Sequence, residues 1–435
     1  TEHAMMEKLM VDTLVTWAVD YKVDSFRFDL MGHHMVEEML NVQSSLGALT
    51  QEADGVDGSS IYLYGEGWDF GEVGGGARGV NATQVNLAGT GIGTFSDRLR
   101  DAVRGGGPFD GGETLRVNQG FSTGMCWAPN DRNVEGTDGN CNALPGRMDI
   151  IRVGLAGNLA DYELREGVTG KDVDYNGSPS GYGADPQEHI VYIGKHDNQT
   201  YFDYSQYKAP FGWSTEMRTR AQNVGSSVIL LGQGIPFIHL GQDMLRSKSM
   251  QRDSYDSGDW FNKVDFTYTT NNWNVGLPRQ DKDGDNWGLI QEILTNADIN
   301  VQQENIMFAK DVFAEFLSIR DSSPLFGLET LAEVQDRVSF LNQGNDPQGV
   351  IVMRLMDMAC GSHVDATNEG MMVVFNPTLS SIDFAVDGAA DYQLHPVQAA
   401  SVDTTAQTAS FAGGIFTVPA QTTGVFVKPR GAACN

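Results

Sequence analysis

Basic residues are scarce in this 435-residue chain: 29 Lys and Arg stand against 57 Asp and Glu, for a net charge of -28. Such an acidic excess disfavours nucleic acid and anionic membrane surfaces as partners, because neither counterion release nor surface attraction would help association. A neutral substrate stays open. Long apolar runs are missing as well. The most apolar window, "SSVILLGQGIPFIHLG", is interrupted by Gln233 and His239 and falls short of the roughly 18 residues a membrane-spanning helix needs. No basic stretch followed by an apolar one opens the chain, so any export signal is expected to have been removed or to lie outside this sequence. Cys126, Cys141, Cys360 and Cys434 are too few and scattered for a disulfide-stapled fold, and no Cys-x-x-Cys spacing points to zinc or redox chemistry. Cys126 and Cys141 border the polar loop "WAPNDRNVEGTDGN", which either a disulfide closes or two free thiols flank; export would favour the disulfide. The Gly-rich "GEVGGGARG" lacks the Gly-Lys-Ser/Thr ending of a phosphate loop and reads as a flexible loop.

With 40% hydrophobic and 20% charged residues the chain is globular, and its length suggests about two domains. Met6, Leu9, Met10, Leu14 and Trp17 recur at helical spacing, so the chain opens inside a helix. A strand is predicted at 23–29, a helix over about 35–49 and a strand at 61–66. Next come a short strand and turn in "GIGTFSDRLRDAV", a strand at 188–197, a helix near 215–231 and a strand at 234–243. That alternation predicts α/β architecture. Residues 244–300, rich in Asp, Asn and Trp, read as an elaborate functional loop closed by a helix at about 302–320. From about 330 the pattern turns to short strands such as "GVIVMRL", "GMMVVFNP" and "TTGVFVKP", which predicts a small all-β domain. The expected division is 1–328 and 329–435.

Three predicted strands end in a carboxylate: Asp29 in "VDSFRFDLMGHH", Glu66 in "YLYGEGWDF" and Asp197 in "VYIGKHDNQT". In a parallel βα barrel such ends share the face on which the loops converge. Carboxylates gathered there repel, pushing their pKa values apart so that one serves as acid and another as nucleophile. A pair about 5–5.5 Å apart is the apparatus of a retaining glycosidase. Arg27 is placed to keep Asp29 ionised, Trp68 to offer a flat face to a sugar, and His33, His34 and His196 to hydrogen-bond hydroxyls. Each has a plainer reading, as a strand cap, a neutralising partner, rim packing or a structural histidine. A metal site from Asp29, His33, His34 and His196 is disfavoured, since adjacent histidines rarely point to one ion and no His-x-x-x-His occurs. "DKDGDNWG" at 281–288 has the oxygen density of a calcium loop without a clear twelfth-position Glu, and reads as a turn.

These stretches, with "LRSKS" and "DSYDSGDWFN" after the last strand, resemble the pullulanase and limit-dextrinase branch of the α-amylase superfamily over most of the chain. The resemblance implies a (β/α)8 TIM barrel followed by a β-sandwich. About five barrel-type strands are countable where eight are needed, and the family's Asp-Val-x-Tyr-Asn-His motif is absent, so strands 4 to 8 are expected here, with an amino-terminal remainder of the same enzyme as partner. It further implies Asp29 as nucleophile, Glu66 as general acid/base and Asp197 as the carboxylate that steadies the transition state. Arg27 would orient Asp29, and His34, His196 and Trp68 would bind sugar, with Arg246, Asp253 and Asn274 as further glucan contacts. The implied reaction is hydrolysis of α-1,6 branch linkages in pullulan and limit dextrins, with retention and no cofactor in the chemistry; a structural calcium ion is a family expectation. The acidic composition and the absence of cofactor motifs fit an exported bacterial enzyme, secreted or at the cell surface or in the periplasm. Two alternatives stand beside it. One is an α-1,4-acting or neopullulanase-like hydrolase; the other is a catalytically silent glucan-binding fragment using Trp68, Trp260, Trp273 and Trp287.

Overall fold

The computed structural model describes residues 2–133, 139–344, 346–357 and 363–431. Helix α1 (Ala4–Tyr21) leads into strand β1 (Ser25–Phe28), helix α2 (Val36–Gly47) and strand β2 (Tyr62–Gly65). Strand β3 (Gly93–Phe95) is followed by helices α3 (Asp97–Arg104) and α4 (Gly139–Leu155), then by strand β4 (His189–Val191). Helices α5 (Tyr201–Lys208) and α6 (Thr215–Leu230) connect β4 to β5 (Ile235–Pro236), and α7 (Gln303–Asp321) follows a long excursion. The five strands pair in chain order and all in parallel, with Phe28 opposite Gly65, Gly65 opposite Thr94, Phe95 opposite Ile190 and Val191 opposite Pro236. Parallel neighbours cannot be joined by a tight turn, which is why the chain makes an excursion between every two strands.

Side chains alternate across this sheet as strand geometry requires. Leu63 joins Ala18, Phe28, Met39, Val42 and Leu46 in a core beneath α1 and α2, while Tyr62 and Tyr64 turn to the opposite face, against Phe95, Tyr192 and Phe237. Phe95 meets Tyr192 and Phe237 edge-on at 5.5 and 5.0 Å, the arrangement aromatic quadrupoles favour. Gly93 is required beside them, since a Cβ there would come within 2.0 Å of the Tyr62 hydroxyl oxygen.

From Val338 onward the strands are antiparallel. Val338–Phe340, Ile351–Met356, Asn368–Asn376, Thr422–Pro429 and Gln393–Leu394 form one sheet, and Ile382–Ala385, Ile415–Val418 and Ser410–Ala412 a second. Val352, Met372, Val374 and Phe426 pack between the two sheets with Phe416 and Val418. Met353, Met371, Val373 and Val425 face the other way, into a core shared with α4, α6 and α7. Burial on both faces explains why these strands read as unbroken apolar runs rather than alternating ones. Polar bonds cross the same junction: Arg220 of α6 grips Asp403 through two contacts of 2.8 Å, and the hydroxyls of Ser227 and Thr423 lie 2.7 Å apart.

Several elements differ from the sequence expectation. The strands expected at 188–197 and 234–243 are laddered only over His189–Val191 and Ile235–Pro236. Burial continues through Tyr192, Ile193 and Gly194 without sheet pairing, so apolarity overstated strand length. "GTFSDRLRDAV" continues into α3 rather than a turn; Arg98 and Arg100 within it are buried against Tyr175, Tyr182 and Tyr192, and Arg104 at the helix end against Tyr204. Helices α4 and α5 were not anticipated. The stretch 281–288 is helical rather than a turn: it runs through the helix Gln280–Asp283 into Trp287–Leu294, with Asp281 paired to Arg279 at 2.7 Å and Asp283 accepting from the Arg252 amide. Among the described residues no cluster of three or more His, Cys, Asp or Glu side chains is arranged to hold a metal ion, and no helix is long and apolar enough to cross a membrane. Cys126 and Cys141 form a disulfide; Cys360 and Cys434 lie outside the described residues.

Candidate active site

Strands β1 and β2 end level, Phe28 opposite Gly65, so the next residues, Asp29 and Glu66, emerge side by side. Alternation puts Arg27 on the same face as Asp29. Its Nη1 donates to Asp29 Oδ1 at 2.6 Å and its Nη2 lies 3.2 Å from Glu66 Oε1. Leu30 then takes a left-handed conformation, φ 46°, which costs a non-glycine residue roughly 1–2 kcal/mol. The turn is bonded in place: the Leu30 amide donates to Glu66 Oε2 at 3.0 Å and the Gly32 amide to the Glu66 carbonyl at 2.8 Å. A Cβ on Gly32 would come within 2.0 Å of the Trp68 carbonyl oxygen, so glycine lets the two loops close.

Asp197 reaches the same place by another route. Strand β4 stops at Val191, and residues 192–197 carry the chain onward as a buried irregular segment. Lys195 lies in it, with its ammonium touching Glu66 Oε1 and, at 2.6 Å, Asp197 Oδ2. Asn198 follows in the left-handed region at φ 63°, as Leu30 follows Asp29. The three carboxylates thus form one chain of charges, Asp29 to Arg27 to Glu66 to Lys195 to Asp197, with Phe95 beneath both cations at 5.7 and 5.9 Å. Glu66 is the inward member, its side chain 4% exposed against 73% for Asp29 and 51% for Asp197. Burial pushes its pKa up, but hydrogen bonds from Lys195 and the Leu30 amide, with the charges of Lys195 and Arg27, outweigh burial and hold the carboxyl well below the usual range. Mutual repulsion was the expectation; interposed cations reverse it.

The remaining predicted residues divide. His196 is exposed, its Nε2 3.4 Å from Asp197 Oδ1. His34 is kept neutral mainly by burial, with Nδ1 3.8 Å from Glu38 Oε2. Trp68 is half-buried beside the Phe95–Tyr192 cluster, and His33 packs on Phe70 at 4.8 Å. Arg246 is buried, its guanidinium committed to the carbonyls of Leu240 and Asn262 at 3.0 and 2.9 Å. Asp253 pairs with Lys282 at 2.9 Å, and the amide of Asn274 donates to the Leu294 carbonyl. Of the tryptophans in the long loop, Trp260 is exposed, whereas Trp273 packs edge-on against Phe202 and Trp287 donates to the Pro278 carbonyl.

Sequence reasoning missed Lys195 and Lys248. Buried Lys248 reaches the His196 carbonyl at 3.2 Å and Ser254 Oγ at 3.0 Å, seating the long loop against the carboxylates. A signal for Lys195 was present: "RFD" and "KHD" repeat one spacing, a cation two residues before the acid. Phe109 was also passed over; it is exposed on the loop whose Pro108 carbonyl accepts from Asn198 at 3.4 Å.

Residues 268–429 match the family described as "Alpha-1,6-glucosidases, pullulanase-type, C-terminal". The chain is 46% identical over 447 residues to pullulanase 1, chloroplastic, of Arabidopsis thaliana, covering 99% of this chain and 46% of that protein. To the pullulanase of Klebsiella pneumoniae it is 41% identical over 444 residues, covering 99% of this chain and 39% of the relative. The crystal structure of apo pullulanase from Klebsiella pneumoniae superimposes with a TM-score of 0.91 at 40% identity, over 100% of this chain and 46% of that one. The chain therefore spans less than half the length of these relatives. In sequence and in fold it belongs to the pullulanase family, where it corresponds to the carboxyl-terminal part.

Proposed function

We propose that this chain carries the catalytic carboxylates of a retaining glycoside hydrolase that cleaves α-1,6-glucosidic branch linkages in pullulan, limit dextrins and related α-glucans. The observation that carries the reading is the chain of Asp29, Glu66 and Asp197 linked through Arg27 and Lys195, the first two directly after the parallel strands β1 and β2 and the third on the segment that continues β4. Asp29, exposed and oriented by Arg27, attacks the anomeric carbon. The bond from that carbon to the leaving 6-oxygen breaks as Glu66 delivers a proton to the oxygen, leaving a glucosyl ester on Asp29. Water, giving its proton to Glu66, then attacks the same carbon and releases the sugar with its configuration retained. Asp197, His196 and His34 hold sugar hydroxyls, and Trp68 lines the subsites. The choice of the α-1,6 bond draws on the pullulanase relatives, one of which, from Klebsiella pneumoniae, has been crystallised with maltotriose.

The same reading takes β1 to β5 as strands 4 to 8 of a (β/α)8 barrel within 1–328, with 329–435 as the sandwich domain. Among the described residues β1 pairs on one side only, and α1 exposes Met5, Leu9, Trp17 and Tyr21. An amino-terminal remainder of the same protein would supply the next parallel strand and cover that helix. The Cys126–Cys141 disulfide favours secretion or another oxidising compartment. Product analysis of pullulan digested by the protein in its longest form tests the function. Maltotriose is expected; panose would overturn the linkage, and absence of new reducing ends would overturn the hydrolase.

A further inference from the structure

Held by its present partners, Glu66 is poorly placed for the acid step. Lys195 and Arg27 engage Oε1, the Leu30 amide engages Oε2, and the side chain is almost fully buried. A general acid must bring a proton within hydrogen-bond reach of the leaving oxygen, and a carboxylate gripped by an ammonium group has no proton to offer. The two cations differ in how firmly they are fixed. Both lie over Phe95, but Arg27 is a laddered residue of β1 and its planar guanidinium is bonded to Asp29 at 2.6 Å. Lys195 follows the last laddered residue of β4 and has a flexible four-carbon stem. It also has a second acceptor, Asp197 Oδ2 at 2.6 Å, on a side chain half open to solvent. The charged and titratable groups around the pair are Arg27 of β1 and Asp29 just after it, His196 and Asp197 from the segment after β4, and Lys248 from the long loop after β5.

Building on the hydrolase reading above, we infer that Lys195 is a positioning residue: it holds Glu66 as a carboxylate before substrate arrives, and releases it when an α-glucan binds beside Asp29. Lys195 then keeps its bond to Asp197 and gives up the one to Glu66. Glu66 stays desolvated but loses its strongest partner, so its proton affinity rises and it takes up a proton from water. The acid would thus be armed only with substrate in place. Lys195 makes no contact with the reacting atoms in this scheme.

Carbon-13 NMR of protein labelled at the glutamate carboxyls, with Glu66→Gln identifying the resonance, reads this directly. In the wild type Glu66 should titrate below the ordinary glutamate range. Lys195→Met should raise its midpoint by roughly 1–3 pH units, the range an opposite charge at contact distance controls, and Lys195→Arg should leave it low. Saturating maltotriose should raise the wild-type midpoint and change Lys195→Met little. The alkaline limb of kcat/KM on pullulan should move up in Lys195→Met; a purely structural role would lower activity without moving it. Should the methionine variant not fold, Lys195→Gln removes the same charge. A Glu66 midpoint identical in the wild type and the charge-removing variant overturns the inference, as does one that calorimetrically verified maltotriose binding leaves unchanged. If maltotriose does not bind and pullulan is not cut while the Lys195→Met shift appears, the hydrolase reading fails instead.

Discussion

Replacing Glu66 by Gln keeps the side chain's shape and removes its charge, and the surrounding contacts fix what that does to stability. The single amide oxygen can accept from either the Leu30 amide or Lys195, which bond different oxygens of Glu66, so the other donor is left facing the new NH2. Two attractions go: the charge-assisted part of the Lys195 bond and the Arg27 contact at 3.2 Å. Bonds to charged groups contribute about 1.5–3 kcal/mol, and removing one partner of a buried pair costs about 3–5 kcal/mol. Since Lys195 keeps Asp197 and Arg27 keeps Asp29, the lower end of that range applies, about 3 kcal/mol at neutral pH. For a chain of this length that is a fall of roughly 3 °C in Tm. The pH dependence has a definite sign. A carboxyl whose folded pKa is depressed stabilises fully above its unfolded value, near 4.5, and loses that contribution as pH falls toward the lowered folded value. The gap between wild type and Glu66→Gln should therefore be full at about pH 7 and shrink steadily below about pH 4.5. Calorimetric Tm values across that window measure it. A Glu66→Gln protein as stable as wild type at neutral pH, or more stable, would refute the reasoning, because that is the behaviour of a desolvated carboxyl without cationic partners.

Arg220→Met should cost about 3–5 kcal/mol, since it strands Asp403, which is 8% exposed, at the junction of α6 with the carboxyl-terminal strands. In denaturant titrations the double variant with Asp403→Asn should recover much of the loss, and strict additivity would show that the pair is uncoupled. Cys126→Ser should lower stability by about 3 kcal/mol, the chain-entropy value for closing a loop of 15 residues; an unchanged Tm would show that the loop is constrained by other means.

Much of the site was legible because it follows from strand periodicity. Arg27 and Asp29 share a face, and Asp29 and Glu66 emerge together because β1 and β2 end in register. Asp197 was found for a reason only half correct, since no ladder continues past Val191 and the buried segment 192–197 places it instead. Lys195 was passed over because a lysine beside a histidine reads as a solvated charge, although "KHD" repeats the spacing of "RFD". Helix α3 was hidden by the same habit: Arg98, Arg100 and Arg104 look like a solvent face, and only the fold brings tyrosines from distant segments to cover them. Arg246 and Asn274 illustrate the limit for long loops, where a polar side chain braces backbone carbonyls that sequence cannot bring near it.

The central claim is that Asp29 attacks the sugar while Glu66 manages the protons. An α-maltotriosyl fluoride needs no acid to leave, so with Glu66→Gln the ester should form on Asp29 with loss of fluoride and persist, because no base activates water. Peptide mass spectrometry of the quenched reaction should find a maltotriosyl increment on the peptide containing Asp29, and none in Asp29→Asn. An increment on Asp197, or no adduct despite fluoride release, would contradict the account.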